Sequence, residues 1–304
     1  MDFNKLPNAI IIGAAKSGTT SLFEILAGHP SVFASERKEL NFFSNDERFV
    51  NGPYWYEQSH FAAAVGYPVR LEASPSYLAW SEKTAPRIKE LYADRPIKII
   101  AIFRDPVSRA YSNYWHRVRM GHETLSFREA LTREEQRLRE HWEELYKQGN
   151  PKYGYFRGGC YASRLKPFLQ NFPRQNFFFL LQDDLRDQFD SSLSSLLQFL
   201  GVDADEALAP VVRNTPTVPR NRSLHDAYDG IKRSRLAPTL RGFIPAGLRH
   251  WVRHRLLVKQ VRYPPMEEEV RSELYERFSN EIGELSKILG RDLSDWRAEK
   301  KAPR

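Results

Sequence analysis

Three short runs of the chain are almost wholly apolar: residues 9–13, 97–103 and 177–181, rich in Ile, Phe and Leu. A strand with one wet face alternates apolar and polar residues, and these runs do not. They read as central parallel strands covered on both faces. Between and after them, Thr84 to Ala93, Phe127 to Tyr146 and Ser191 to Leu200 repeat their apolar residues at helical spacing. Strand and helix in alternation predict an α/β sandwich of three layers around a parallel sheet. Open sheets of this kind bind ligands beyond the carboxyl ends of their strands, so the loops after residues 13 and 103 are expected to face each other.

The first strand runs into Ala14-Ala15-Lys16-Ser17-Gly18-Thr19-Thr20 and then a helix. Small residues let the backbone close around an anion, the helix start aims N–H groups and its dipole at it, and Lys16 adds a full charge. In nucleotide-hydrolysing loops the lysine directly follows the last glycine. Here Thr19 follows Gly18 and the lysine sits inside the loop, a spacing suited to a single 5′-phosphate group rather than to a triphosphate with a metal. The plain alternative is a strand-to-helix turn carrying an exposed lysine. The second apolar run ends in Arg104-Asp105-Pro106, again a helix start. Arg104, with its planar fork, and Ser112 on the helix are natural phosphate partners; the plain alternative is an arginine paired with a carboxylate.

The 304 residues suffice for one core, and a single domain, 1–304, is expected. With 46 basic against 38 acidic residues the chain carries a net charge of +8, which favours an anionic ligand or surface. Cys160 is the only cysteine, which excludes an intrachain disulfide and an all-cysteine zinc site and fits a reducing compartment. The first residues lack a signal pattern, and no apolar run approaches the roughly 20 residues of a membrane span, so a soluble, cytoplasmic protein is expected. Glu134 to Lys147 reads as a solvated charged face. From Asn221 to Pro265, and most densely over 232–262, Arg and Lys cluster among apolar residues while acidic residues almost vanish. That region is read as a partly helical basic cover over an anionic site, as a contact with a membrane surface or acidic polymer, or as a helix with a solvated basic face.

Taken in order, these motifs resemble those of sulfotransferases, which use 3′-phosphoadenosine 5′-phosphosulfate (PAPS). The Lys16 loop resembles their 5′-phosphosulfate site, and Arg104 to Ser112 their 3′-phosphate site. Lys38-Glu39-Leu40-Asn41-Phe42-Phe43 is similar to the Glu-x-His-Phe-Phe segment of the glycan O- and N-sulfotransferases. The likeness continues in Glu72-Ala73-Ser74-Pro75-Ser76-Tyr77, in Gly159-Cys160-Tyr161 leading to Phe168, and in Lys259-Gln260-Val261-Arg262-Tyr263-Pro264 before a helix from Glu267 to Leu289 and the stretch Asp292 to Trp296. It implies a P-loop-like sulfotransferase fold. It further implies that Lys16 meets the oxygen bridging phosphate and sulfate, that Ser17, Gly18, Thr19 and Thr20 hold the 5′-phosphate, and that Arg104 and Ser112 hold the 3′-phosphate. Lys259 and Arg262 would close over the nucleotide, Glu39 would be the general base, and Lys38, Asn41, Ser74 and Tyr77 would meet the acceptor. No metal is called for.

Three departures narrow the resemblance. Asn41 stands where the heparan-type enzymes carry His, Ala73 where they carry a substrate-gripping Lys, and the cysteine pair of the secreted animal enzymes is missing. These argue for a soluble bacterial-type enzyme rather than one acting on a heparan-like polymer. A saccharide or glycolipid acceptor leads, with aromatic faces offered by Tyr54, Trp55, Tyr56, Tyr77, Trp80 and Trp115; the hydroxyl of a small natural product is the alternative. Partners from other classes are an ATP- and Mg²⁺-dependent kinase reaction, a basic surface-binding protein, and a fold that only binds nucleotide. No nucleic-acid partner is expected, and contact of 232–262 with a membrane surface stays open.

Overall fold

The computed structural model describes residues 5–93, 95–149, 152–204, 208–211, 217–219, 258–260 and 263–297. Ala9–Gly13 is β1, buried at every position as its sequence requires. It lies between β3 (Val69–Ala73) and β4 (Lys98–Phe103); β2 (Val32–Ala34) and β5 (Phe177–Leu181) complete the sheet in the order β2-β3-β1-β4-β5, all parallel. Ile10 pairs with Glu72 on one side and Ile99 on the other, and the ladder shifts register between Ile11 and Gly13, where the chain leaves for the Lys16 loop.

Helix α1 (Thr19–Ala27) and the late helix Phe189–Leu200 cover one face, burying Leu22, Leu26, Leu193 and Leu197 against Ile11, Leu71, Ile100 and Ile102. The opposite face carries a short helix, Ser76–Ala79, and the helix Tyr161–Asn171, whose Tyr161 ring lies 5.0 Å from Phe103. The three-layer α/β architecture expected from the alternating pattern is therefore present.

Two strands escaped the pattern. β2 is a three-residue edge strand, too short to show a period. β3 reads Val-Arg-Leu-Glu-Ala, an alternation that suggests a half-wet strand, yet Glu72 is fully buried. Its polar side chains find partners nearby: Arg70 donates to the carbonyls of Leu6 and Tyr67, and Oε1 of Glu72 accepts the hydroxyls of Ser74 and Tyr77. The stretch 127–146 is three helices, Phe127–Thr132, Glu134–Glu140 and Trp142–Gln148, stepping out of helical geometry at Arg133 and His141. Tertiary bonding accounts for the first break. Glu134, in a segment read as solvated, is buried and accepts the N–H groups of Phe156 and Arg157 at 2.7 and 2.8 Å. The expected terminal helix is likewise two, Glu268–Arg277 and Ser279–Leu289.

The chain divides into two compact units, one of residues 1–114, 125–211 and 266–304, the other of 115–124 and 212–265. In the second, Thr217–Pro219 and Val258–Gln260 form an antiparallel pair in which Val218 faces Lys259. Arg262 and residues 232–257 lie outside the described residues. Among the described residues no helix is long and apolar enough to cross a membrane.

Gly149 ends the helix Trp142–Gln148 at φ +63°, and a Cβ there would stand 2.4 Å from the Ser44 carbonyl oxygen. Gly149→Ala is expected to cost about 1–3 kcal/mol, from the left-handed backbone and the displaced contact together. Urea denaturation measures it; an unchanged midpoint would show that the turn tolerates a side chain.

Candidate functional site

Because the sheet is parallel, the loops after β1, β2, β3 and β4 all leave from its carboxyl edge. These four loops carry Lys16, Glu39, Ser74 and Arg104 respectively. One edge thus collects the candidates of these four loops.

At the β1 loop, Gly18 caps α1 at φ +101°, a conformation glycine adopts without steric cost. No acidic side chain stands in the first turn of α1, so its N-terminal N–H groups and dipole remain suited to an anion, worth about 0.3–1 kcal/mol and more when partly buried. Lys16 is half-buried with φ 71°. Ser17 is fully buried, and its Oγ lacks a well-formed hydrogen bond within the protein, the kind of orphan that a ligand oxygen satisfies.

At the β4 loop, Asp105 caps the helix Pro106–Arg119, accepting the N–H groups of Val107 and Ser108 at 3.1 Å each and the Tyr275 hydroxyl at 3.1 Å. Its neighbour Arg104 is largely buried, and burial pulls the guanidinium below its usual range against the opposing pull of Asp105, Tyr161 and Asp183. Ser112 lies half-buried two turns into the same helix. Tyr161 lies against both loops. Its hydroxyl donates to the Arg104 carbonyl at 3.0 Å, and burial raises its pKa to about 12 while Arg109 and the Ser17 hydroxyl pull the other way. Sequence reading gave Tyr161 no role; an aromatic residue opening a helix offers no signal of one.

At the β2 loop, Glu39 and Asn41 have φ 65° and 53°. The four described non-glycine residues with positive φ are Lys16, Glu39, Asn41 and Ala93, so three of them are candidate site residues. Such backbone costs roughly 1–2 kcal/mol at a residue like Glu39 and is held only where surrounding bonds over-determine it. Those bonds come from the β3 loop: Glu39 N–H to the Ala73 carbonyl at 2.9 Å, and Asn41 N–H to Ser74 Oγ at 2.9 Å. The Glu39 side chain is 56% exposed and pairs with Lys38 Nζ at 3.0 Å. Ser74 and Tyr77 are fully buried. Lys38, Asn41, Ser74 and Tyr77 are therefore brought to one loop cluster, the first two half-buried and the last two fully buried.

Glu72 lies under this cluster, and the sequence gave no hint of its burial. Burial raises its pKa from 4.5 to about 7, against the hydroxyls of Ser74, Tyr77 and Tyr56 and the charge of Lys38. The folded chain thus keeps a proton that the unfolded chain gives up between pH 4.5 and 7. The stability this group permits is full below pH 4.5, falls as pH rises towards 7, and is about 3 kcal/mol lower beyond it. Glu72→Gln is expected to remove this slope, so that its stability relative to the parent increases from pH 5 to 8. Chemical denaturation across that range measures the difference; a constant difference would mean that Glu72 is ionised throughout.

Comparison with known proteins bears on the family. Residues 6–217 match the model of the sulfotransferase domain. Mouse heparan sulfate glucosamine 3-O-sulfotransferase 5 is 32% identical over 207 residues, covering 65% of this chain and 54% of that protein. Mouse heparan sulfate glucosamine 3-O-sulfotransferase 3B1 is 33% identical over 198 residues, covering 65% and 47%. The chain spans about half the length of the curated relatives it matches. The crystal structure of a sulfotransferase from Alicyclobacillus acidocaldarius superposes with a TM-score of 0.69 at 29% identity, covering 96% of this chain and 98% of that one. With the domain model spanning most of its length, the chain belongs to the sulfotransferase domain family.

Proposed function

We propose that the chain, as one catalytic domain over 1–304 working in the cytoplasm, transfers a sulfuryl group from PAPS to a hydroxyl of a saccharide or glycolipid. The observation that carries the reading is the placement of Lys16 and Glu39 on the same sheet edge, both in left-handed backbone. The residues present suit the donor. The α1 start with Lys16, Ser17, Gly18, Thr19 and Thr20 fits a 5′-phosphate, and Arg104 with Ser112 fits the 3′-phosphate. Lys259 and Arg262 would close over the nucleotide.

When bound, PAPS supplies a sulfuryl group whose transfer leaves negative charge on the 5′-phosphate oxygen, by analogy with the loose transition state of phosphoryl transfer. Lys16 and the α1 N–H groups lie ready for that charge, a preorganised stabilisation that costs no rearrangement during reaction. Glu39, exposed beside Lys38, takes the proton of the acceptor hydroxyl. Lys38 and Asn41 line the acceptor side. Relatives named as glucosamine 3-O-sulfotransferases support a sugar hydroxyl, whereas Asn41 and Ala73, replacing His and Lys, support a smaller acceptor than a heparan chain.

Calorimetric titration with 3′-phosphoadenosine 5′-phosphate (PAP), beside ATP with Mg²⁺ and 5′-AMP, tests the donor site. Tight binding of PAP alone is expected; preference for ATP with Mg²⁺ would replace transfer of sulfuryl by transfer of phosphoryl. Arg104→Ala is expected to weaken PAP by about 10- to 100-fold, the loss of a charge-assisted bond, and to leave 5′-AMP nearly unchanged. Equal losses would remove Arg104 from the 3′-phosphate. In sulfuryl-transfer assays with saccharide acceptors, Lys16→Ala is expected to lower kcat by about 10²–10³ and also to weaken PAP. Glu39→Gln is expected to lower kcat by about 10²–10⁴ with PAP affinity intact. Full turnover by Glu39→Gln would assign the base elsewhere.

A further inference from the structure

Ser74 and Tyr77 were expected to meet the acceptor, but both are fully buried and their hydroxyl protons are already committed. Ser74 has one proton to give and gives it to Glu72 Oε1. Its oxygen is thereby left as an acceptor, and it receives the backbone N–H of Asn41 at 2.9 Å. Tyr77 repeats the arrangement: its O–H donates to the same Oε1 at 3.1 Å, and its oxygen faces the N–H of Phe43 at 3.5 Å. One carboxylate oxygen therefore sets the direction of two hydroxyls, and both hydroxyls point their lone pairs at one loop. Asn41 Oδ1, receiving the Ser76 hydroxyl at 2.6 Å, and the Glu39–Ala73 bond complete the hold.

We propose that Glu72 is a positioning residue for Glu39: by accepting two hydrogen bonds on one buried oxygen it turns Ser74 and Tyr77 into acceptors, which hold residues 39–43 with Glu39 and Asn41 in left-handed backbone. The inference rests on the reading of Glu39 as the general base. Were Glu72 Oε1 removed, each hydroxyl would be free to turn its proton towards the loop N–H it now receives. The second oxygen, Oε2, and the Tyr56 hydroxyl are buried beside one another, neither with another well-formed partner. Oε1 remains an acceptor whether or not Oε2 carries a proton, so the device works in either charge state. A glutamine of the same shape should serve: its carbonyl takes the place of Oε1 and its NH₂ faces Tyr56.

The test uses the full chain with Glu72→Leu, Glu72→Gln, Ser74→Ala and Tyr77→Phe. Kinetics of sulfuryl transfer, PAP affinity, and amide hydrogen exchange at Asn41 and Phe43 are measured for each. Glu72→Leu is expected to lower kcat by about 30-fold, to speed exchange at both amides, and to leave PAP binding intact, while Glu72→Gln restores kcat to within about threefold. Ser74→Ala and Tyr77→Phe should each lower kcat several-fold without raising the acceptor KM. The proposal is overturned if Glu72→Gln is as damaged as Glu72→Leu, since charge and not bond direction would then matter. It is equally overturned if Ser74→Ala and Tyr77→Phe act on acceptor KM alone. Should Glu72→Leu fail to fold, the other three variants decide. If the parent chain transfers no sulfuryl group from PAPS, the functional reading fails, and the exchange rates alone still judge whether Glu72 holds the loop.

Discussion

The pairing of β1 between β3 and β4 is the constraint on which the rest depends. A strand buried on both faces can leave the sheet only at its ends, and in a parallel sheet every neighbour leaves in the same direction. Loops far apart in sequence are thus delivered to one edge without needing contacts of their own. The shift in register between Ile11 and Gly13 falls where β1 hands over to the Lys16 loop, so the ladder loosens only at the end of the strand.

Beneath that edge the protein keeps charge where water cannot reach. Arg109 is fully buried, its guanidinium donating to the carbonyls of Gly154 and Tyr155, and Glu134 receives the next two N–H groups of the same segment. A buried charge is costly unless it is bonded, and here the bonds go to backbone groups that would otherwise be orphaned in a turn. The segment 154–160, and with it the start of the Tyr161 helix, is held by these polar bonds together with the buried Tyr155 and the stacking of Phe156 on Phe278. Glu72 does the same for the loop between β2 and the following helix. Both arrangements trade stability for one defined course of irregular chain.

The readable parts of the fold are those in which one physical demand dominates. The runs 9–13 and 97–103 answer only to burial, and all three runs are strands with nearly the expected limits, but 177–181 lies at the sheet edge with Phe178 and Phe179 half-buried and is not the central strand expected. The Lys16 loop and Arg104 were legible because strand, turn and helix follow one another locally. β3 was illegible because Arg70 and Glu72 break its apolar run, and their partners, Leu6, Tyr67, Ser74 and Tyr77, are supplied by the fold. The same reason hides Glu134 in a charged stretch. Glu39 was found only through the order of neighbouring motifs, since nothing local distinguishes Lys38-Glu39 from any surface pair. The burial of Ser74 and Tyr77 could not be read from residue type, because a hydroxyl serves a ligand or a loop equally well.

The phenol of Tyr161 touches the loop that leaves β1 and the carbonyl of Arg104 at the end of β4. One rigid ring thus stands against both the loop that leaves β1 and the end of β4 before any ligand arrives. On the proposed reading, a donor with two anionic groups would be sorted by the span between those groups as well as by their charge, a match that a triphosphate, whose charges sit in one row, would not make.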